Sequence, residues 1–152
     1  INMEILKEFL TEEQCFDIIV QRKNDLRKSH IFGGFTNKIR NSRSSYWKKD
    51  SLLDKKFNYQ SVEYQLVEYV KDCHYTWHDD DSFRRIETNI ILLNDNFEGG
   101  EFELKDYGII KLNIGDCLNF KSTLDHRVKP VTKGIRYSLV TWLYDQSEKP
   151  II

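Results

Sequence analysis

From Val62 onward the chain repeats every two residues. Val62, Tyr64, Leu66 and Glu68 alternate with Glu63, Gln65, Val67 and Tyr69, as in a strand whose successive side chains face opposite sides. Further strands are predicted at 75–80, 86–94, 101–105, 109–112, 117–121, 126–131 and 135–144. Turn-forming residues separate them: Asn94-Asp95-Asn96, Glu98-Gly99-Gly100, Asp106-Tyr107-Gly108, Asn113-Ile114-Gly115-Asp116 and Lys133-Gly134. Many short strands at close spacing predict a β-sandwich or barrel, with Pro130 at a sheet edge or bend. Ahead of them the period is helical. Thr11-Glu12-Glu13-Gln14 has the form of a capping box, and Cys15, Ile18, Ile19 and Leu26 follow at helical spacing, so one amphipathic helix is expected over about 12–27. Gly33-Gly34 interrupts the chain, Phe35 to Tyr46 reads as extended, and the polar stretch 49–60 reads as loop. Neither an internal repeat nor a linker is visible. A mainly β single domain over 1–152 follows, with a helical part over about 1–60 and a strand-built core over about 62–144.

Composition narrows the function classes. A length of 152 residues suffices for one hydrophobic core. A net charge of -1 supplies no field toward nucleic acid or a membrane surface, so neither partner is expected. Basic residues in 37–56 are interleaved with Ser and Asp, which suits a solvated face or a substrate rim. Cys15, Cys73 and Cys117 form no CxxC pair, so free buried thiols in a reducing compartment are expected. No apolar run approaches the roughly 20 residues of a membrane span, and Ile1-Asn2-Met3-Glu4-Ile5-Leu6 lacks the basic-then-apolar form of a secretory signal. A cytoplasmic protein is the expectation.

The candidate chemistry lies in two stretches, Tyr75-Thr76-Trp77-His78-Asp79-Asp80-Asp81-Ser82 and the run from Asp125 to Leu143. Two histidines and one carboxylate can hold Fe(II) on one face and leave positions open for a cosubstrate and dioxygen. Strand parity pairs His78 with Asp80 and turns Asp79 and Asp81 elsewhere. The third ligand must come from His30, His74 or His126. His74 shares parity with His78 but follows the turn-like Asp72-Cys73, whereas His126 opens a strong strand. Taken singly, each of these residues is ordinary: most lone histidines are surface or hydrogen-bonded groups. Arg136 starts the strand after Lys133-Gly134 and returns alongside His126. A guanidinium fork meets a carboxylate in bidentate fashion and stays charged. Ser138 shares its face, and Val128, in phase with His126, would add an apolar wall.

These residues resemble the prolyl-hydroxylase branch of the Fe(II)/2-oxoglutarate-dependent dioxygenases, which includes procollagen, hypoxia-factor and bacterial PKHD-type hydroxylases. The resemblance covers about 62–144. Tyr69, Tyr75, His78 and Asp80 match its two tyrosines and HxD, Asn94 to Glu101 its hairpin, and Ile114-Gly115-Asp116 through Phe120 its Gly-Asp strand. The run His126-Arg127-Val128, Pro130-Val131, Gly134, Arg136-Tyr137-Ser138 and then Trp142 is the most specific match. The resemblance implies a double-stranded β-helix (a jelly-roll, cupin-like core) with His78, Asp80 and His126 as metal ligands. It implies contacts to 2-oxoglutarate from Arg136, Tyr69 and Ser138, with Thr88, Ile90 and Leu92 lining that pocket. Leu92 stands where relatives often carry a tyrosine, Cys73 replaces a common glycine, and the segment between Tyr46 and Val62 is short.

The function implied is hydroxylation of a prolyl residue in a protein or peptide, with Fe(II), 2-oxoglutarate and O2 consumed or held, succinate and CO2 released, and ascorbate as accessory reductant. A carboxylate at Asp80 suits hydroxylation rather than halogenation. Candidate substrate residues are Arg85, Arg127 and Trp142, and Gly33–Tyr46 is a candidate lid. Two other readings stand beside this one: a hydroxylase of a free amino acid or other small molecule, and a non-catalytic jelly-roll binding module.

Overall fold

A computed structural model describes residues 2–29, 37–82 and 84–145. Strand β1 (Met3–Leu6) leads into helix α1 (Glu12–Arg22). The capping box is formed: Gln14 N–H donates to Thr11 Oγ1 at 3.1 Å, and Thr11 N–H donates to Gln14 Oε1 at 3.0 Å. The helix ends earlier than its spacing suggests, because Lys23–Asp25 tightens into a 3-10 turn. Asn and Asp compete for backbone groups there, and Leu26 reaches the core from beyond the helix at 4% exposure.

Strands β2 (Arg27–Lys28), β3 (Arg40–Asn41) and β4 (Arg43–Trp47) precede a second helix, α2 (Ser51–Lys56). That helix lies in the stretch read as loop. Asp50 caps it by accepting Leu52 and Leu53 N–H at 3.1 and 3.0 Å, and Leu53 is fully buried. One and a half turns is too short for a periodic signal, so only the cap was there to be read. The remaining strands are β5 (Ser61–Tyr69), β6 (His74–His78), β7 (Arg85–Leu92), β8 (Phe97–Gly99), β9 (Phe102–Leu104), β10 (Gly108–Ile110), β11 (Cys117–Lys121), β12 (His126–Val128), β13 (Val131–Gly134) and β14 (Arg136–Tyr144). Lys133-Gly134, read as a turn, ends β13, which pairs with β8. Gly134 (φ +78°) does make the reversal: a Cβ there would lie 2.6 Å from the Asn96 carbonyl oxygen.

The strands pair antiparallel into a seven-stranded sheet, β1-β11-β7-β14-β5-β4-β2, and a five-stranded sheet, β10-β9-β12-β6-β3, with β13–β8 as a separate ribbon. The architecture is a double-stranded β-helix. Alternation along β5 divides the interior in two. Tyr64 and Leu66 join Leu10, Cys15, Ile18, Leu53, Ile91 and Leu139 beneath α1, on the helix side of the large sheet. Val67 and Tyr69 face the other way and join Ile90, Phe102, Leu104, Leu118, Phe120 and Val128 between the sheets. Cys15, Cys73 and Cys117 are free and buried. No helix among the described residues is long and apolar enough to cross a membrane.

Candidate active site

His78 closes β6 and His126 opens β12, and the two are cross-strand partners in register. Their side chains therefore enter the space between the sheets together, with ring centroids 4.1 Å apart. Asp80 lies past the end of β6, so strand parity alone does not place it. Its N–H donates to the Ser122 carbonyl at 2.9 Å, and Thr88 Oγ1 donates to its Oδ2 at 2.9 Å. The carboxylate is thereby aimed at both imidazoles: Oδ1 is 3.8 Å from His78 Nε2 and Oδ2 is 3.4 Å from His126 Nε2.

One donor atom from each of His78, Asp80 and His126 falls within 4.8 Å of the others. With metal–ligand bonds of about 2.1 Å, neighbouring ligands lie about 3.0 Å apart around an octahedral ion and about 3.4 Å apart around a tetrahedral one. The two carboxylate–imidazole separations, 3.4 and 3.8 Å, lie close to these values, and two imidazoles with one carboxylate are a donor set that suits a divalent ion. Tautomers agree. His78 Nδ1 faces the Thr76 carbonyl at 2.7 Å and His126 Nδ1 faces the Leu124 carbonyl at 3.1 Å. If each Nδ1 donates to its carbonyl, both Nε2 lone pairs face the site. Burial, and then the neighbouring His126, push the His78 pKa down to about 3, which keeps this imidazole neutral and able to ligate at neutral pH. Phe102 and Phe120 pack on His126 at centroid distances of 5.5 and 4.9 Å.

The triad borders a cavity of about 1020 Å³. One part of its wall is built from cross-strand rows of β14 and β5, where Arg136 pairs with Tyr69 and Ser138 with Val67. Arg136 is 3% exposed, its Nη1 donates to Ser138 Oγ at 3.2 Å, and its guanidinium lies 5.6 Å from the Tyr69 ring centre. Burial lowers the Arg136 pKa and raises that of Tyr69, which the Arg40 and Arg136 charges pull back down. A buried cation beside a phenol and a hydroxyl has the chemistry to receive a carboxylate. Val67, Ile90 and Val128 add apolar wall to the same cavity.

Other candidates divide. Thr88, Ile90, Arg85 and Trp142 line the cavity, and Arg85 lies over the Trp142 indole at 3.7 Å. Leu92 is buried but is not among the lining residues; its carbonyl accepts Gly115 N–H at 2.8 Å. Parity fixes a face but not how far along the strand a cavity reaches. Arg127 points away from the cavity, where it pairs with Glu103 at 2.7 Å and lies over Trp77 at 4.7 Å. Its neighbours His126 and Val128 face inward, so alternation along β12 turns Arg127 outward. Asp79 and Asp81 stay out of the triad yet line the cavity. His74 faces the Lys38 carbonyl at 3.1 Å. His30 and 33–36 of the candidate lid lie outside the described residues, while Arg40 and Tyr46, from the rest of it, line the cavity together with Gln65 and Glu63. Gln65 was legible in retrospect, two residues from Val67 on the same face of β5. Nothing in the local sequence marks Arg40.

Residues 64–144 match the family model of the 2OG-Fe(II) oxygenase superfamily. The chain belongs to this superfamily. It is 35% identical over 68 residues to a PKHD-type hydroxylase of Cupriavidus metallidurans, covering 40% of this chain and 30% of that protein. It is 37% identical over 81 residues to one from a Psychrobacter species, covering 49% and 31%. The chain thus matches under a third of the length of these curated relatives. Among solved structures, a Pseudomonas putida prolyl-4-hydroxylase superposes with TM-score 0.80 at 16% identity, over 95% of this chain and 93% of that one. A Trichoplax adhaerens prolyl hydroxylase in complex with a hypoxia inducible factor oxygen degradation domain peptide fragment does so with TM-score 0.80 at 19% identity, over 97% and 88%. These two share the fold.

Proposed function

We propose that the chain is an Fe(II)- and 2-oxoglutarate-dependent dioxygenase that hydroxylates a prolyl residue of a protein or peptide. In balance, 2-oxoglutarate, O2 and a substrate C–H give succinate, CO2 and a substrate C–OH. The observation that carries this reading is the shared cavity: three convergent ligand atoms border it, and a buried guanidinium forms another part of its wall. His78, Asp80 and His126 would hold the iron, which when bound supplies dioxygen activation and the redox chemistry. Arg136, with Ser138 and Tyr69, would anchor the far carboxylate of 2-oxoglutarate and so fix which end reaches the metal. Val67, Ile90 and Val128 exclude water along its length.

The prolyl substrate is supported by the relatives' names and by the cavity wall. Trp142 and Arg85 offer a flat, amphipathic surface on which a pyrrolidine ring can pack. The test is to incubate the chain with Fe(II), ascorbate and 2-oxoglutarate, alone or with proline-containing peptides or free proline. Succinate and the gain of one oxygen are then followed by mass spectrometry. Oxygen gained on peptides and lost in His126→Ala is expected. Gain on free proline alone would move the substrate to small molecules, and turnover unchanged in His126→Ala would sink the assignment.

A further inference from the structure

We infer that Arg40 is a positioning residue for the metal centre: its guanidinium backs Tyr75 and so holds the His78 imidazole in its ligating orientation. The inference rests on the reading of His78, Asp80 and His126 as metal ligands. The two histidines are held in different ways. His126 starts a strand that is paired on both sides and packs against Phe102 and Phe120. His78 is the last residue of its strand, just before the chain departs through Asp79–Ser82. Besides the contact of its Nδ1 with the Thr76 carbonyl, its ring is fixed by a stack. Tyr75 lies 3.5 Å from it, centroid to centroid, with 10° between the planes.

Tyr75 needs backing of its own to serve as that support. Arg40 is its cross-strand partner on β3, and the guanidinium carbon sits 4.7 Å from the centre of the phenol ring. An imidazole so close and so nearly parallel fills one face of Tyr75, which leaves the opposite face for the guanidinium. The order across the stack is therefore Arg40, Tyr75, His78. Such a stack holds only if the outermost plane is itself fixed. Arg40 is 8% exposed, and its Nε donates to Ser42 Oγ at 3.1 Å while Nη2 donates to Ser44 Oγ at 3.2 Å. Ser44 belongs to the other sheet and also accepts from Gln65 Nε2 at 2.9 Å, which in turn donates to Tyr46 OH at 3.0 Å. Ser29 joins the same cluster through Ser42 at 2.8 Å. The guanidinium is thus tied across the two sheets, and its flat face is presented to the ring that supports the ligand.

Groups that orient a metal-bound histidine typically change metal affinity by 10–100-fold when removed. The test uses the whole chain and Mn(II) alone, with free ion counted by electron paramagnetic resonance and ligand geometry read from the visible bands of the Co(II) form. Arg40→Lys keeps the charge but not the planar fork, and Arg40→Met keeps neither. Both are expected to raise the Mn(II) dissociation constant by about tenfold and to alter the Co(II) bands. Tyr75→Phe keeps the ring and is expected to bind as the parent does, whereas Tyr75→Leu is expected to match the Arg40 variants. The tyrosine pair also decides the matter if an Arg40 variant fails to fold. Parental Mn(II) affinity in Arg40→Lys, or in Tyr75→Leu, overturns the inference. His126→Ala separates the two levels: if it binds Mn(II) like the parent, the ligand assignment itself is wrong.

Discussion

Replacing Arg136 by Met separates a receptor for cosubstrate from a structural arginine, because the two roles predict opposite effects on stability. The side chain is 3% exposed, and its Nη1 donates to the Ser138 hydroxyl at 3.2 Å. Burial has already pulled its pKa down, which means that holding the charge here opposes folding. Loss of the bond to Ser138 costs about 1.5–3 kcal/mol, while relief from burying a guanidinium returns several kcal/mol. Met has comparable length and no charge, so the metal-free variant is expected to melt at or above the parental temperature.

Binding of 2-oxoglutarate moves the other way. A bidentate guanidinium–carboxylate contact contains two charge-assisted hydrogen bonds, each worth about 1.5–3 kcal/mol. Losing both costs at least about 3 kcal/mol, and at about 1.4 kcal/mol per decade the dissociation constant rises at least about a hundredfold. Isothermal titration of the Mn(II)-loaded protein with 2-oxoglutarate measures this without turnover. Affinity within about threefold of the parent, a difference of about 0.7 kcal/mol, would refute the assignment. A large fall in melting temperature with intact binding would refute it more strongly, since Arg136 would then be a structural residue.

Three further expectations concern the surrounding frame. Thr88→Val removes the hydroxyl that donates to Asp80 Oδ2 at 2.9 Å and contacts Ser122 Oγ at 3.0 Å; Mn(II) affinity should fall about tenfold, and unchanged affinity would show that Asp80 needs no such guide. Gly115→Ala places a methyl 2.1 Å from the Leu10 carbonyl oxygen at φ +87°. Strain and clash together should cost about 3 kcal/mol, or about 6–12 °C in melting temperature, readable by calorimetry. Acid should destabilise the metal-free protein through His78, whose folded pKa lies near 3 against an ordinary 6.5. A depressed folded value means that the unfolded chain binds the proton more readily. Stability from this group is therefore full above about 6.5 and lost as pH falls toward about 3. Urea unfolding across that window should show a steeper loss for the parent than for His78→Gln, and equal slopes would exclude His78 as the source.

The large sheet was legible because its central strands bury both faces and still alternate in chemistry. On β5, Tyr64 and Leu66 go to the helix side while Val67 and Tyr69 go to the cavity. The segment from His126 to Ser138 was legible for a related reason: short strands fix parity, and parity places His126, Val128, Arg136 and Ser138 at the cavity. The same rule, carried one residue further, turns Arg127 outward. Parity reached Asp80 by a weaker route, since β6 stops at His78 and the Ser122 carbonyl and Thr88 hydroxyl hold the carboxylate instead. Those partners come from distant segments, which no local pattern reports. Arg40 was illegible for the same reason. Its strand has two residues, too few for a period, and its role depends on a ring that is 35 positions away in sequence but adjacent in space.

The two sheets divide the chemistry, and this division makes the inter-sheet core part of the site. The smaller sheet carries both histidines on neighbouring strands, while the larger carries Arg136, Ser138 and Thr88. A cosubstrate bridging the proposed metal site and the Arg136 guanidinium would span from one sheet to the other, so its fit would depend on their spacing. Phe102 and Phe120, one from each sheet, meet at a centroid distance of 5.8 Å, and both pack on His126. The rings packed between the sheets are therefore the rings that pack on the imidazole proposed as a metal ligand. Close-packed interiors transmit a change of even one methylene. Sheet spacing and the orientation of the proposed ligand His126 are thus coupled through one packed core.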